Sequence, residues 1–143
     1  MIPELAENGI LPPGIHICEI KELEAKFVYN LHRRNLYNGL VRLVQDLKSI
    51  NAQAIYVDGS FVTAKLMPGD IDVCWDEGTG TGYEYELANL PILFNRQLAK
   101  ARYLADIFPA AIMEQGSKKL FIDFFQIDKQ TGEQKGILKI NLF

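Results

Sequence analysis

A glycine–serine turn and two closely spaced carboxylates are the residues of this chain best suited to chemistry. Asp58-Gly59-Ser60 follows a short apolar run at residues 54–57, and Asp70-Ile71-Asp72 comes after a spacer of nine residues. Turn amides and a serine hydroxyl can hold phosphate oxygens, and paired carboxylates can hold a divalent metal. The segment therefore predicts a site for a nucleoside triphosphate and a metal ion.

The spacing of the two acids predicts that their carboxylates lie close together. Alternate residues of a strand share a face, so Asp70 and Asp72 should point one way while Ile71 and Val73 enter the core. Carboxylates roughly 6–7 Å apart repel by about 3 kcal/mol at an effective dielectric of about 20. A cation such as Mg²⁺ or Mn²⁺ relieves this repulsion, with phosphates supplying further oxygen ligands. The alternative is a solvent-facing pair on an edge strand.

The turn before the acids predicts where the phosphates bind. Gly59 lets a ligand approach the backbone closely. Ser60 adds a hydroxyl donor to the amides that open a short helix expected over residues 61–66. Pro68-Gly69 should end that helix and start the acidic strand. Gly59 and Ser60 are therefore the predicted nucleotide-binding residues.

These motifs resemble the DNA polymerase beta-like nucleotidyltransferase superfamily, especially its minimal single-domain members. That group combines a strand, a Gly-Ser turn, an acidic–apolar–acidic triplet and a third carboxylate on a later strand. The apolar run at residues 120–125 contains one acid, so the resemblance assigns the third position to Asp123, with Asp128 as a competitor. It implies metal-dependent transfer of a nucleoside monophosphate to a protein or nucleic-acid acceptor, with Asp70, Asp72 and Asp123 as catalytic metal ligands.

A closer resemblance, to a set of short uncharacterised bacterial proteins, covers most of the chain. It implies the same nucleotidyltransferase-like domain and no particular substrate. The matching segments are Leu11-Pro12-Pro13-Gly14-Ile15-His16, Asp58-Gly59-Ser60-Phe61-Val62-Thr63, Gly69-Asp70-Ile71-Asp72, Phe124-Phe125-Gln126 and Lys135-Gly136-Ile137.

The chain departs from the superfamily just after the turn. Thr63 and Ala64 stand where minimal members often carry Arg and Gly. Lys65, beside them, is expected to contact the triphosphate; the alternative is a surface lysine. If Lys65 does not bind phosphate, the expected cations are Arg33, Arg34, Lys118 or a partner's. Asp58 beside a phosphate site must be paired or bind metal.

The chain as a whole predicts an α/β (α+β) fold, with a small mixed sheet flanked by helices. Residues 1–18 are expected to form an extended leader packed on a single domain over residues 19–143. Helices are expected at 19–50, with a break near Asn35, Asn38 and Gly39, and at 87–107. Strands are expected at 120–127 and 137–142, with a hairpin turn at 129–133. The glycine-rich segment 76–83 is expected to act as a lid.

Composition narrows the function classes. The net charge is −3, so the chain carries no general attraction for nucleic acid. It has two distant cysteines and no apolar stretch long enough for a bilayer, which predicts a reduced, cytoplasmic setting without a membrane partner. The rival class is a catalytically weak or inactive interaction module, such as an antitoxin or a regulatory subunit. The sequence does not predict the oligomeric state.

Overall fold

A computed structural model describes residues 1–77 and 90–143 of the chain. This part is a mixed sheet flanked by helices, which confirms the predicted α/β class. The strands are β1 (Gly14–Ile17), β2 (Ala54–Asp58), β3 (Asp72–Asp76), β4 (Asp106–Pro109) and β5 (Gly136–Asn141), and the helices are α1 (Ile20–Phe27), α2 (Leu31–Ser49), α3 (Arg96–Tyr103) and α4 (Phe121–Phe124). Two 3-10 turns lie at Ser60–Val62 and Pro91–Phe94.

The sheet order across the described strands is β1-β5-β2-β3-β4. β2 lies at the centre and is antiparallel to both β5 and β3, whereas the outer pairs β1–β5 and β3–β4 are parallel. Residues 1–18, expected as an extended leader, contribute β1. The antiparallel pairing of β2 with β3 places Asp58 directly opposite Asp72.

The two faces of the sheet pack against different hydrophobic clusters, because side chains alternate between the faces along each strand. Val57, Val73 and Trp75 belong to the larger core, which the helices α1, α2 and α3 complete. Tyr56 and Cys74 point to the opposite face, into a smaller cluster. Asp58 and Asp72 stand two residues from Tyr56 and Cys74, so they continue this second face toward the sheet's edge.

The first predicted helix is divided, but not where its polar residues suggested. α1 ends at Phe27, and the side chain of Asn30 caps α2 by accepting a hydrogen bond from the Arg33 amide at 2.8 Å. Gly39, expected near the break, lies inside α2. A Cβ atom at Gly39 would come within 2.0 Å of the Tyr103 carbonyl oxygen. Gly39 therefore allows α3 to approach α2.

Two other predicted elements were wrong. The strand expected over residues 120–127 is the short helix α4, because Phe121, Phe124 and Phe125 are spaced to share a helical face. Phe121 stacks on Phe108 of β4 with ring centroids 4.5 Å apart. The helix expected to reach residue 107 ends at Tyr103 and is followed by β4.

The expected last strand and its hairpin turn lie within the described residues, whereas most of the expected lid does not. β5 occupies the segment expected as the last strand, and the turn before it is closed by a hydrogen bond from the Asp128 amide to the Glu133 carbonyl at 2.8 Å. Most of the expected lid, residues 78–83, and the first residues of the helix expected from 87 lie outside the described residues. None of the described helices is long and apolar enough to cross a bilayer.

Candidate active site

The Gly-Ser turn is a sharp backbone corner at the end of β2. Gly59 has a φ of +88°, which side chains rarely tolerate. A Cβ atom there would lie 3.0 Å from the Asp72 amide nitrogen and 3.3 Å from the Asp70 carbonyl oxygen. The helix expected over residues 61–66 is reduced to the 3-10 turn Ser60–Val62. Gly59 thus lets the turn lie directly against the acidic segment.

Ser60 is bonded to the first of the two predicted acids. Its backbone amide and its hydroxyl both donate to Oδ1 of Asp70, at 3.2 and 2.7 Å. Burial disfavours the Asp70 carboxylate, but these two hydrogen bonds outweigh burial and lower its pKa. Asp70 precedes β3 rather than lying on it, so Ser60, and not a strand pleat, orients its side chain.

Asp72 begins β3 and is flanked by acids on both neighbouring strands. Its register partners are Asp58 on β2 and Asp106 on β4. Burial, followed by the negative charges of Asp70, Asp58 and Asp106, raises the pKa of Asp72 to about 6. Like charges opposite one another destabilise a sheet. Lys135 pairs with Asp58, and Lys100 and Arg96 pair with Asp106 at 3.3 and 3.6 Å, so the charge that a bound cation would offset is chiefly that of Asp70 and Asp72.

Asp58 is neutralised by a lysine from the far end of the chain. Its side chain is buried, with 5% of the residue exposed, and Nζ of Lys135 lies 2.8 and 3.0 Å from its two carboxylate oxygens. Burial raises the pKa of Asp58 despite the opposing effect of Lys135. The pair joins two of the motifs that carry the resemblance, at positions 58–60 and 135–137.

These residues line one cavity of about 400 Å³. Asp58, Gly59, Ser60, Asp70 and Asp72 are among its lining residues. Others come from the end of α4, from the segment between α4 and β5, and from two residues of the leader. Those residues are Ile10, Leu11, Phe124, Phe125, Asp128, Lys129 and Lys135, among others. The cavity thus combines carboxylates, turn amides, cations and apolar side chains.

The structure does not bring Asp123 into this cavity. Asp123 is exposed on α4 and lines a different cavity, whereas Asp128, its competitor, lines the acidic one. Asp106 stands next to Asp72 in register, although it is not among the residues lining the cavity. Sequence reasoning missed Asp106 because the segment was assigned to a helix. The sequence feature that could have indicated it is the position of Asp106 directly before the β-prone pair Ile107-Phe108.

Lys65 also lies outside the cavity. Its side chain is exposed, and its backbone carbonyl accepts a hydrogen bond from Nη2 of Arg33. Lys129 and Lys135 are the lysines in the cavity wall. The positive charge of Lys129 adds to the lowering of the pKa of Asp70 and opposes the rise in the pKa of Asp72, although other groups have larger effects on both.

Arg33, one of the alternative cations, has a structural position instead. The residue is 0% exposed, and its guanidinium donates to the carbonyls of Phe27, Phe61, Thr63 and Lys65. Asn30 adds a hydrogen bond to the Leu66 carbonyl at 2.9 Å. The beginning of α2 therefore holds the loop that connects the Gly-Ser turn to the acids.

The residues present fit a magnesium ion that is shared with phosphate. Among residues 1–77 and 90–143, no three His, Cys, Asp or Glu side chains form a group that could hold a metal ion alone. Magnesium is commonly bound by one or two carboxylates together with substrate phosphates. Asp70 and Asp72 provide such a pair, and the pKa of Asp72 is raised first by burial and then by the neighbouring acids, whose charge a cation would offset.

Fold and site together define a small mixed α/β domain with an acidic cavity at the end of its central strands. The chain belongs to a family of unknown function (DUF6932), whose model matches residues 3–141. No curated protein and no solved structure matches the chain significantly.

Proposed function

We propose that the chain is a metal-dependent nucleotidyltransferase of the DNA polymerase beta-like kind, acting in the cytoplasm. It would move a nucleoside monophosphate from a nucleoside triphosphate to a hydroxyl of a protein or nucleic-acid acceptor. One observation carries the proposal: the Gly-Ser turn, Asp70 and Asp72 line a single cavity that also contains Lys129 and Lys135. The resemblance of the motifs supports the same conclusion.

The reaction needs positioning and charge stabilisation more than covalent chemistry. The acceptor oxygen bonds to the α-phosphorus, the bond from that phosphorus to the bridging oxygen breaks, and pyrophosphate leaves while the hydroxyl proton passes to water. Mg²⁺ or Mn²⁺ held by Asp70 and Asp72 would neutralise triphosphate charge. Ser60 orients Asp70, and Lys129 and Lys135 attract the phosphates. Asp106 adjoins Asp72 on the next strand, but it pairs with Lys100 and Arg96 and does not line the cavity, so the metal ligands proposed here are Asp70 and Asp72.

Incubation with each α-labelled nucleoside triphosphate, Mg²⁺ and candidate RNA or protein acceptors tests this proposal. Labelled acceptor and pyrophosphate should appear together, and Asp70→Asn and Asp72→Asn should abolish both. Glu7→Gln is the control because that exposed carboxylate lies outside the cavity. Failure of the native protein to bind any triphosphate with Mg²⁺ would exclude the proposal.

One observation favours a second candidate, a catalytically weak interaction module such as an antitoxin or regulatory subunit. Within the described residues, no three potential ligands form a metal group, and the buried Arg33 holds a loop instead of facing the cavity. The module would bind triphosphate without transferring it. Divalent-dependent binding in the absence of pyrophosphate release, with every acceptor class, would identify this case.

A further inference from the structure

A second cavity of about 530 Å³ adjoins the acidic one and has the opposite charge. Lys118, Lys119 and Lys135 line it, and Asp123 is the one acid among its described lining residues. This balance contrasts with the net charge of −3 for the whole chain. Ile127 and Lys135 line both cavities, so a ligand in the second cavity would lie beside the first.

The turn that presents Lys118 and Lys119 is closed by its own hydrogen bonds. The Glu114 carboxylate accepts from the amides of Gly116 and Ser117, at 2.8 and 2.6 Å. The Lys118 amide donates to the Glu114 carbonyl at 2.9 Å, and a β-bridge joins the flanking residues 113 and 120. Hydrogen bonds to Glu114 therefore hold the turn in shape, while both lysine side chains stay exposed.

These two lysines are available to an anion. Within the described residues, neither Lys118 nor Lys119 forms an ion pair, whereas Lys135 is held by Asp58. Ammonium groups bind phosphates as point charges. Two ammonium groups that the described residues leave without an ion pair, with the paired Lys135 beside them, therefore suit a ligand with several negative charges.

The apolar side chains of the same cavity restrict the kind of anion. Met113 and Leu120 are 48% and 40% exposed at the lysine turn. Nucleic-acid bases present broad, flat, weakly polar faces between phosphates, and such faces lose little by packing on apolar side chains. An acidic peptide can also offer carboxylates to the lysines, but its short acidic side chains bring no such apolar faces to Met113 and Leu120.

We propose that this second cavity binds the terminal nucleotides of a single-stranded nucleic acid. Its lysines hold the phosphodiesters and its apolar wall contacts the bases, so that the terminal hydroxyl reaches the acidic cavity past Lys135. The inference rests on the proposed function, since it names the acceptor class. The transfer step is the one given above, with the strand's terminal hydroxyl oxygen as the atom that bonds to the α-phosphorus.

Binding can be measured without any transfer. Fluorescence anisotropy with a labelled ten-nucleotide oligouridylate, over a series of NaCl concentrations and without triphosphate, reports the affinity. Lys118→Ala/Lys119→Ala should weaken binding roughly tenfold. It should also make the slope of log affinity against log salt shallower by about 0.7 for each phosphate that the variant no longer neutralises. Lys21→Ala/Lys48→Ala, which removes two exposed lysines of α1 and α2, is the matched control and should bind like the native chain.

Two further probes decide the ligand class. Tighter binding of the ribose strand than of a matching deoxyribose strand would identify RNA, and the reverse order would identify DNA; both support the proposal. Equal or tighter binding of a ten-residue polyglutamate through the same lysines would overturn it in favour of an acidic protein segment. Binding of nucleic acid that does not depend on Lys118 and Lys119 would also overturn it.

A triphosphate measurement separates this proposal from the one on which it rests. The lysine double variant should keep the native rise in melting temperature with triphosphate and Mg²⁺, because Lys118 and Lys119 do not line the acidic cavity. Failure of the native chain to bind the strand, with an intact triphosphate response, contradicts the acceptor site alone. No triphosphate response in the native chain, with lysine-dependent strand binding retained, contradicts the transferase alone.

Discussion

Lys135 donates to both carboxylate oxygens of Asp58, at 2.8 and 3.0 Å, across 77 residues of sequence. The pair ties the segment before β5 to the end of β2, and it neutralises one of the acids that line the acidic cavity. Asp58 is the more buried partner, with 7% of its side chain exposed against 20% for Lys135. Loss of the lysine charge should therefore change the free energy of unfolding more than loss of the aspartate charge.

Lys135→Met should destabilise the protein by about 3–5 kcal/mol, because it leaves the Asp58 carboxylate buried without a partner. Asp58→Asn/Lys135→Met should recover most of that loss. Urea unfolding at pH 7.5 measures both. A double variant no more stable than Lys135→Met would mean that the pair has no compensating role.

Asp72→Asn should abolish the stabilisation that a nucleoside triphosphate and Mg²⁺ give to the native chain. A ligand at about 100 times its Kd stabilises the folded state by about 2.7 kcal/mol. Differential scanning fluorimetry with and without both ligands measures the loss. Asp123→Asn should retain the full shift, since Asp123 lines the other cavity. A full rise in melting temperature in Asp72→Asn would show that the Asp72 carboxylate does not bind the metal ion.

The ligand-free protein should lose stability as pH rises from about 4 to about 6, through the effect of Asp72. Its pKa is raised from 3.8 to about 6 in the folded state, so the folded chain binds the proton more tightly than the unfolded chain. The advantage is complete below pH 3.8 and is lost above about 6. A shift of this size corresponds to about 2–3 kcal/mol.

The difference in unfolding free energy between the native chain and Asp72→Asn isolates this effect from other titrating groups. It should change by the stated amount between pH 4 and pH 7, with the asparagine variant the more stable at pH 7. A difference that is constant over this range would show that Asp72 titrates normally.

Gly59→Ala should destabilise the protein by about 1–3 kcal/mol and weaken triphosphate binding. The residue has a φ of +88°, and its Cβ atom would lie 3.0 Å from the Asp72 amide nitrogen. Gly69→Ala is the matched control, because a Cβ atom there meets nothing within 4 Å. Thermal melts and nucleotide titrations of both variants check the expectation, which equal behaviour of the two would contradict.

Lys129→Ala should weaken triphosphate binding by about 1.5–3 kcal/mol, the range for a hydrogen bond to a charged group. Lys129 lines the acidic cavity, whereas the exposed Lys65, expected from the sequence to contact phosphate, does not. Lys65→Ala therefore serves as the control and should bind like the native chain. Calorimetric titration with triphosphate and Mg²⁺ compares them; a loss confined to Lys65→Ala would restore the sequence-based expectation.

The local part of the site could be predicted from the sequence, because it depends on short spacings. Gly59, Ser60, Asp70 and Asp72 lie within fifteen residues, and the structure brings them together. The strand alternation proposed to align Asp70 with Asp72 does not operate, since β3 starts at Asp72. A hydrogen bond from Ser60 orients Asp70 instead. The predicted residues therefore meet, but through this hydrogen bond and not through strand alternation.

The distant contributors could not be predicted in this way. Lys135 meets Asp58 through β5, and Asp106 meets Asp72 through a strand assigned to a helix. Both contacts depend on sheet order, which periodicity does not specify. Asp123 lies on a short helix and lines the second cavity, because its apolar neighbours, which fit a strand, fit one helical turn as well. Arg33 bonds to backbone carbonyls, and such partners leave no signature in side-chain sequence.

The grip of Arg33 on the loop after the Gly-Ser turn has a consequence for sequence variation. The guanidinium donates hydrogen bonds to backbone carbonyl oxygens, which every residue type carries. The path of the loop therefore does not depend on the side chains at positions 64–67. These four positions are exposed. Saturation mutagenesis should find them permissive to substitution, whereas position 33 should tolerate almost no replacement and an insertion within 64–67 should loosen the site by displacing the bonded carbonyls.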